Sequence, residues 1–298
     1  MSDDIDLTGR VAVVTGSGRG LGRAYAEALA RSGAAVVVND LDADAATEAV
    51  DAITAAGGTA VAEVCAVGTT QAADALVERA VKEFGRLDVM CTNAGALRDR
   101  TLLKLTDEEL DLVLDSHLRG TITCGRAAAR RFREQGGGGR LILIGSPAGQ
   151  SGGFGQTAYA AAKAAIIALV RVWSVELAKI DVTVNAVVPK ALTRMAATIP
   201  ALADIVSKVE AGEPVPPELR RQGTGTVEDV TPLVVYLSSP ESAAITGQYF
   251  SFGGDRFAIW AHPAESFVTY RDGGWTPAQL AADFAGYAQH LQRHTKAG

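Results

Sequence analysis

With 298 residues, 48% hydrophobic and 21% charged, the chain has material for one large or two ordinary folded domains and lacks the bias of a disordered polymer. Its formal net charge of −6, without a block of Lys or Arg, argues against a nucleic-acid or membrane partner. The 3 cysteines, Cys65, Cys91 and Cys124, lie in apolar segments and read as small buried side chains, while the absence of a long apolar run or a basic, apolar start makes a cytoplasmic location the expectation.

Taken from the N-terminus, residues 11–15 form a continuous β-branched run of the kind found inside a parallel sheet. Gly16-Ser17-Gly18-Arg19-Gly20-Leu21-Gly22 follows, and then a helical pattern through residue 30. Glycines at a strand-to-helix turn let backbone approach a pyrophosphate, whose charge the first helical amides meet; the bland alternative is a tight turn. The second strand, 35–39, ends at Asp40, eighteen residues past Gly22. A carboxylate there accepts from both adenosine ribose hydroxyls and repels a 2′-phosphate, which favours NAD over NADP. Arg19 pulls the other way, but nothing basic follows Asp40, which outweighs it; the bland alternative is Asp40 as cap of the next helix.

Helix (44–56), strand (59–64), helix (70–84) and strand (87–91) then alternate, which predicts right-handed crossovers in a doubly wound sheet. Thr92-Asn93-Ala94-Gly95 ends the fourth strand. Asn93 would brace the sheet through its amide while Ala94 and Gly95 leave room for a cofactor, or the segment is simply a turn. Thr106-Asp107-Glu108-Glu109 opens a long helix with a capping box; His117 lies in its middle, and a glycine run ends it at 136–139. Ser146 follows the apolar strand 141–144.

Tyr159 and Lys163, four apart on the next helix, share one face. A tyrosine titrates near ~10, and bringing it to neutral pH takes roughly 3 units, or about 4 kcal/mol. An ammonium at about 4 Å and an effective dielectric of about 20 supplies that amount, so the pair reads as a tuned acid unless it is a solvated surface pair. A strand (181–188) ending at Pro189 leads to residues 190–221, whose poor periodicity suggests a lid. A helix (227–237) and a last strand (248–251) complete the pattern. The tail carries Phe257, Trp260, Phe267, Tyr270 and Trp275 and a capped helix start at Thr276, and it is expected to pack on the cleft or a subunit interface. His290 and His294 have helical metal spacing but no third ligand nearby, so no metal is expected.

Thr15-Gly16-x3-Gly20-x-Gly22, Asn93-Ala94-Gly95, Ser146 and Tyr159-x3-Lys163 together resemble the short-chain dehydrogenase/reductase family over about residues 8–254. Val36-Val37-Val38-Asn39-Asp40, Leu97-Arg98-Asp99-Arg100, His117-Leu118-Arg119-Gly120 and Gly153-Phe154-Gly155-Gln156 are similar to its (3R)-hydroxyacyl-CoA and 17β-hydroxysteroid dehydrogenase branch, that of the peroxisomal multifunctional enzymes. The resemblance implies a Rossmann-like α/β fold with a parallel sheet of about seven strands, a domain over 1–254 that includes the lid, and an extension over 255–298.

It also implies NAD-dependent interconversion of a secondary alcohol and a ketone on a lipid-like substrate, a 3-hydroxyacyl-CoA or hydroxysteroid. The roles it carries over are Tyr159 as general acid/base, Lys163 as its modulator and a ribose ligand, Ser146 as the group orienting the reacting oxygen, and His117 in place of an asparagine that holds a relay water. Gly16, Ser17, Arg19, Gly20, Leu21, Gly22, Asp40, Val67, Asn93, Ala94, Gly95, Pro189 and Thr193 would bind the cofactor. Ala66 stands where the family's adenine-contacting aspartate does, and Lys190 stands where a glycine follows Pro189. Lys190, Arg194 and Lys208 are candidates for a CoA phosphate. Family habit implies a homodimer or homotetramer joined through the long helices. Alternatives are a small carbonyl, terpene or sugar alcohol as substrate, or a protein that binds NAD without turnover.

Overall fold

Val11–Val14, the first strand (β1), is buried along its whole length, as a strand covered on both faces must be. Alternation then sorts its side chains: Val11 and Val13 join one hydrophobic layer, Ala12 and Val14 the other. The computed structural model describes residues 5–193, 196–198 and 200–291.

After β1 come α1 (Gly20–Arg31), β2 (Ala35–Asp40), α2 (Ala43–Ala55), β3 (Thr59–Val64), α3 (Thr70–Phe84) and β4 (Val89–Thr92). The second half holds α4 (Asp107–Leu114), α5 (Gly120–Gln135), β5 (Gly139–Ile144), α6 (Ala148–Ser151), α7 (Thr157–Glu176) and β6 (Val182–Pro189). Then come α8 (Pro200–Glu210) and α9 (Pro217–Arg221), followed by α10 (Thr231–Ser238), β7 (Tyr249–Gly253) and β8 (Arg256–Ile259).

The strands form one sheet in the order β3-β2-β1-β4-β5-β6-β7-β8. All pairings are parallel except β7 with β8. The chain runs outward from β1 in one direction and resumes on its other side at β4, so a crevice opens at the carboxyl ends of those two strands. This is the expected doubly wound fold, with an eighth strand drawn from the segment read as extension. Phe257 of β8 stacks on Phe250 of β7 with ring centroids 5.7 Å apart. The first compact unit therefore runs to Trp260, and the second, from Ala261, has its own α11 (Pro277–Tyr287) with Thr276 and Gln279 forming a capping box. Within it Phe267 meets Tyr287 at 5.3 Å and stacks on His290 at 4.1 Å.

Three details depart from the sequence reading. The long helix expected after Thr106 runs unbroken from α4 into α5 but through a π-helical turn, Asp115–Arg119, which holds His117. Residues 190–221, expected to be a lid of poor periodicity, are not irregular: α8 begins at Pro200, and Leu192, Val206 and Val215 form a small core of their own. Finally, α7 is long and apolar enough to cross a membrane, with a mean hydropathy of 1.5 over its best window. Ala158, Ala162, Ile166, Ile167 and Val170 bury one face of it in the protein, while Val172 and Val175 remain exposed.

Candidate active site

At the carboxyl end of β1 the glycine turn is drawn tight by three side chains. Thr15 Oγ1 accepts from the amides of Asn93 and Ala94, each at 3.0 Å. Asn93 Nδ2 donates to the carbonyls of Thr15 at 3.0 Å and Gly16 at 2.9 Å, so the amide braces β4 against the turn as expected. Gly22 has no space for a side chain, since an added Cβ would strike the Gly16 carbonyl and the Asn93 amide nitrogen. Ser17 is wholly buried, with Oγ donating to Val14 O at 2.7 Å and accepting from Asn39 N at 3.1 Å, so it ties β1 to β2 and is not among the residues lining the cavity.

Asp40 closes the far side. Its carboxylate accepts from Gly18 N at 2.9 Å and Asp42 N at 3.1 Å. The cap of α2 is Asp42, which accepts from Asp44 N and Ala45 N, so Asp40 is free of that alternative duty. Arg19 is ion-paired to Asp42 at 2.6 Å. Between these groups lies a cavity of about 530 Å³ lined also by Gly16, Gly20, Leu21, Gly22, Val67, Asn93, Ala94 and Gly95.

A second cavity, of about 450 Å³, is lined by Ser146, Tyr159, Lys163, His117 and Pro189, and it shares Leu21, Asn93, Gly95 and Thr193 with the first. Ser146 leaves β5 with its Oγ accepting from Ala148 N at 3.2 Å. Lys163 is fully enclosed on the inner face of α7, and its Nζ donates to the last carbonyl of β5, Ile144 O, at 2.6 Å. His117 packs its ring edge-on to Tyr159 with centroids 5.1 Å apart and covers Gly95, where any Cβ would collide with the imidazole.

The electrostatics correct one expectation. Burial raises the Tyr159 phenol, an effect that Asp99 adds to and the hydrogen bond with Ser146 opposes; Lys163 does not pull it down. The reason is that Lys163 is itself desolvated, which lowers its ammonium to about 7, and its Nζ lies 5.7 Å from the ring centroid. Tuning in this site is therefore shared between two buried groups. Burial, reinforced by the Lys163 charge, lowers His117 to about 3, so its imidazole is neutral. Its Nε2 lies 2.9 Å from Ala96 O and must donate, which leaves Nδ1 as a buried acceptor without a protein partner.

The sequence reading did not show what holds the cleft's side wall in place. Arg100 N donates to Gly155 O at 2.7 Å, joining the loop after β4 to the loop after α6, and Arg100 is anchored to Glu109 of α4 at 3.0 Å. That clip presents Asp99 and Gln156, whose Nε2 lies 3.4 Å from Asp99 Oδ2, to the cavity. Arg100 next to an acidic capping box was the available signal. Lys190 reaches the cavity and donates to Gln222 O at 2.6 Å, whereas Lys208 pairs with Asp204 at 2.7 Å on the surface. Thr193 lines both cavities while its Oγ1 accepts from Ala196 N at 3.2 Å. Arg194 and His294 lie outside the described residues. Among the described residues no cluster of His, Cys, Asp or Glu has metal-binding geometry.

These groups fit a nicotinamide dinucleotide. The turn has glycines where side chains would obstruct, amides opening α1, a carboxylate at the end of β2, and a lysine and phenol across the shared wall. Comparison with known proteins agrees. A family described as enoyl-(acyl carrier protein) reductase matches residues 16–254. The chain is 39% identical over 297 residues to the hydroxyacyl-CoA dehydrogenase ChsB1 of Mycobacterium tuberculosis, covering 95% of this chain and 89% of that one. It is 36% identical over 288 residues to the peroxisomal multifunctional enzyme type 2 of Mus musculus, covering 93% of this chain but 36% of that much longer protein. A solved short-chain dehydrogenase from Mycobacterium avium superposes with a TM-score of 0.83 at 36% identity, covering 96% of this chain and 97% of that one. The chain belongs to the short-chain dehydrogenase/reductase family of oxidoreductases.

Proposed function

We propose that the protein is an NAD-dependent dehydrogenase of a 3-hydroxyacyl-CoA, interconverting its secondary alcohol and the 3-ketone. The observation that carries this reading is the convergence of Ser146, Tyr159 and Lys163 on one cavity that shares a wall with the glycine-turn cavity. Nicotinamide, when bound, supplies the hydride acceptor for the carbinol carbon. Tyr159 takes the hydroxyl proton and Ser146 holds the reacting oxygen. Lys163, its ammonium lowered to about 7 and 5.7 Å from the Tyr159 ring centroid, can take up or release a proton near neutral pH, and His117 Nδ1 accepts from a water that carries the proton on.

The substrate class draws on the hydroxyacyl-CoA dehydrogenase relative and on the cleft itself. Leu97, Ala148, Ala196 and Leu202 offer apolar wall to an acyl chain, and Lys190 offers a cation to the anionic carrier. NAD is favoured because Asp40 lines that cavity at the end of β2 and, among the described residues, the one cation lining it, Arg19, is already paired with Asp42. The exposed Val172 and Val175 on an otherwise apolar α7 support a homodimer or homotetramer built on that helix.

The test is nicotinamide absorbance with purified protein, NAD and a panel of 3-hydroxyacyl-CoAs, hydroxysteroids and small secondary alcohols. Thioesters are expected to give the highest kcat/KM. Turnover confined to small alcohols, or none with any member, would overturn the assignment.

A further inference from the structure

Asp42 has no part in the family pattern that marks the site, yet its carboxylate is used twice. Oδ1 accepts from Asp44 N at 3.1 Å and Ala45 N at 3.2 Å, which pins the group at the start of α2. Oδ2 takes the Arg19 guanidinium at 2.6 Å. The two acids interlock as well, because the Asp42 amide donates to Asp40 Oδ1 at 3.1 Å. Around the end of β2 there are thus two carboxylates to one guanidinium, and Glu48 adds a further negative contribution at Arg19.

We propose that Asp42 is a specificity-determining residue for the cofactor, which keeps Arg19 from serving a 2′-phosphate by holding and neutralising its guanidinium. This rests on the NAD reading above and adds a second residue to it. A 2′-phosphate brings roughly 1.5–2 negative charges at neutral pH and is best met by an unpaired guanidinium. Among the described residues lining the cavity, Arg19 is the one such group and sits there with Asp40, but Asp42 occupies it. Both partners are nearly half exposed, at 46% and 41%, so the bond exchanges readily and the effect is one of charge balance, worth a moderate change in affinity.

The experiment is a double-mutant cycle read by equilibrium binding of NAD and NADP to the full chain. Asp42→Asn keeps a good helix cap and removes the charge, so the fold is retained and thermal denaturation verifies it. It is expected to tighten NADP by roughly 5–10-fold with NAD changed less than about twofold. Arg19→Ala alone should leave NADP affinity nearly unchanged, whereas Arg19→Ala added to Asp42→Asn should abolish the gain. An unchanged NAD/NADP ratio in Asp42→Asn, or a gain that survives loss of Arg19, overturns the role of Asp42 and leaves the NAD reading standing. Equal binding of NAD and NADP by the unmutated protein overturns the NAD reading first, and this one with it.

Discussion

Around the glycine turn the polar side chains are held by backbone groups, whereas across the cleft the functional side chains are held by burial and by a clip between two loops. Asn93, Thr15 and Asp40 each bond to main-chain amides or carbonyls of the sheet ends. Lys163 has one carbonyl and a desolvated pocket, and Asp99 rides on a loop joined to its neighbour through Arg100. The first arrangement gives a rigid cradle whose geometry follows from topology. The second leaves charges at shifted affinities for protons, which suits a site that must exchange one.

The largest expected effect is on the proton-handling side. Tyr159→Phe keeps the ring against His117 and removes only the hydroxyl, so kcat should fall by about 10³-fold or more while cofactor binding is retained. Undiminished turnover would refute the assigned proton transfer. On the rigid side, Gly22→Ala places a Cβ against the Gly16 carbonyl and the Asn93 amide, which must then separate. Cofactor affinity should drop by about 100-fold with a stability loss of about 1–3 kcal/mol; a variant that binds normally would show that the cradle yields.

Lys163→Met tests the buried charge by its pH dependence. Burial lowers the lysine from 10.5 to about 7, so between those values the unfolded chain holds a proton the folded chain does not. Stability conferred by the neutral lysine is therefore present above about 10.5 and lost as pH falls through about 7. The unmutated protein should gain up to ~1.4 kcal/mol per pH unit from this group inside that window, and the methionine variant should not. Chemical denaturation curves at pH 7 and pH 9 that shift in parallel for both proteins would contradict the shifted lysine. The smallest effect is expected from Arg100→Ala, which opens the loop clip by removing its ion pair with Glu109. It should raise KM for the thioester about 3- to 5-fold with NAD affinity unchanged, since an exposed pair is worth at most about 1 kcal/mol. An equal loss in NAD affinity would show that the two sides of the cleft are not independent.

Much of the frame was legible before any coordinates. The β-branched runs at 11–15 and 35–39 and the glycine turn between them follow local rules, and Asn93 bonds as its position suggested. The helix of residues 200–210 was hidden because a short apolar face within a long segment of poor periodicity does not stand out from its surroundings. The π turn at Asp115–Arg119 was hidden because one extra residue slips the apolar pattern by only about 100°, which is hard to see between flanking helical segments this short. Phe257 and Trp260 read as tail because aromatic content alone does not say which sheet edge an extension joins.

By itself the sequence determined the alternation of strands and helices, the glycine turn after the first strand, and the presence of a serine, a tyrosine and a lysine at strand-end and helical spacings, because these depend on neighbours within a few residues. Tertiary structure alone decided how charges act there. It turned Lys163 onto Ile144 O, left His117 Nδ1 buried as an open acceptor, and paired Arg19 with Asp42, twenty-three positions apart. A proton affinity is set by everything packed within a few ångströms, and the chain folds distant residues into that shell.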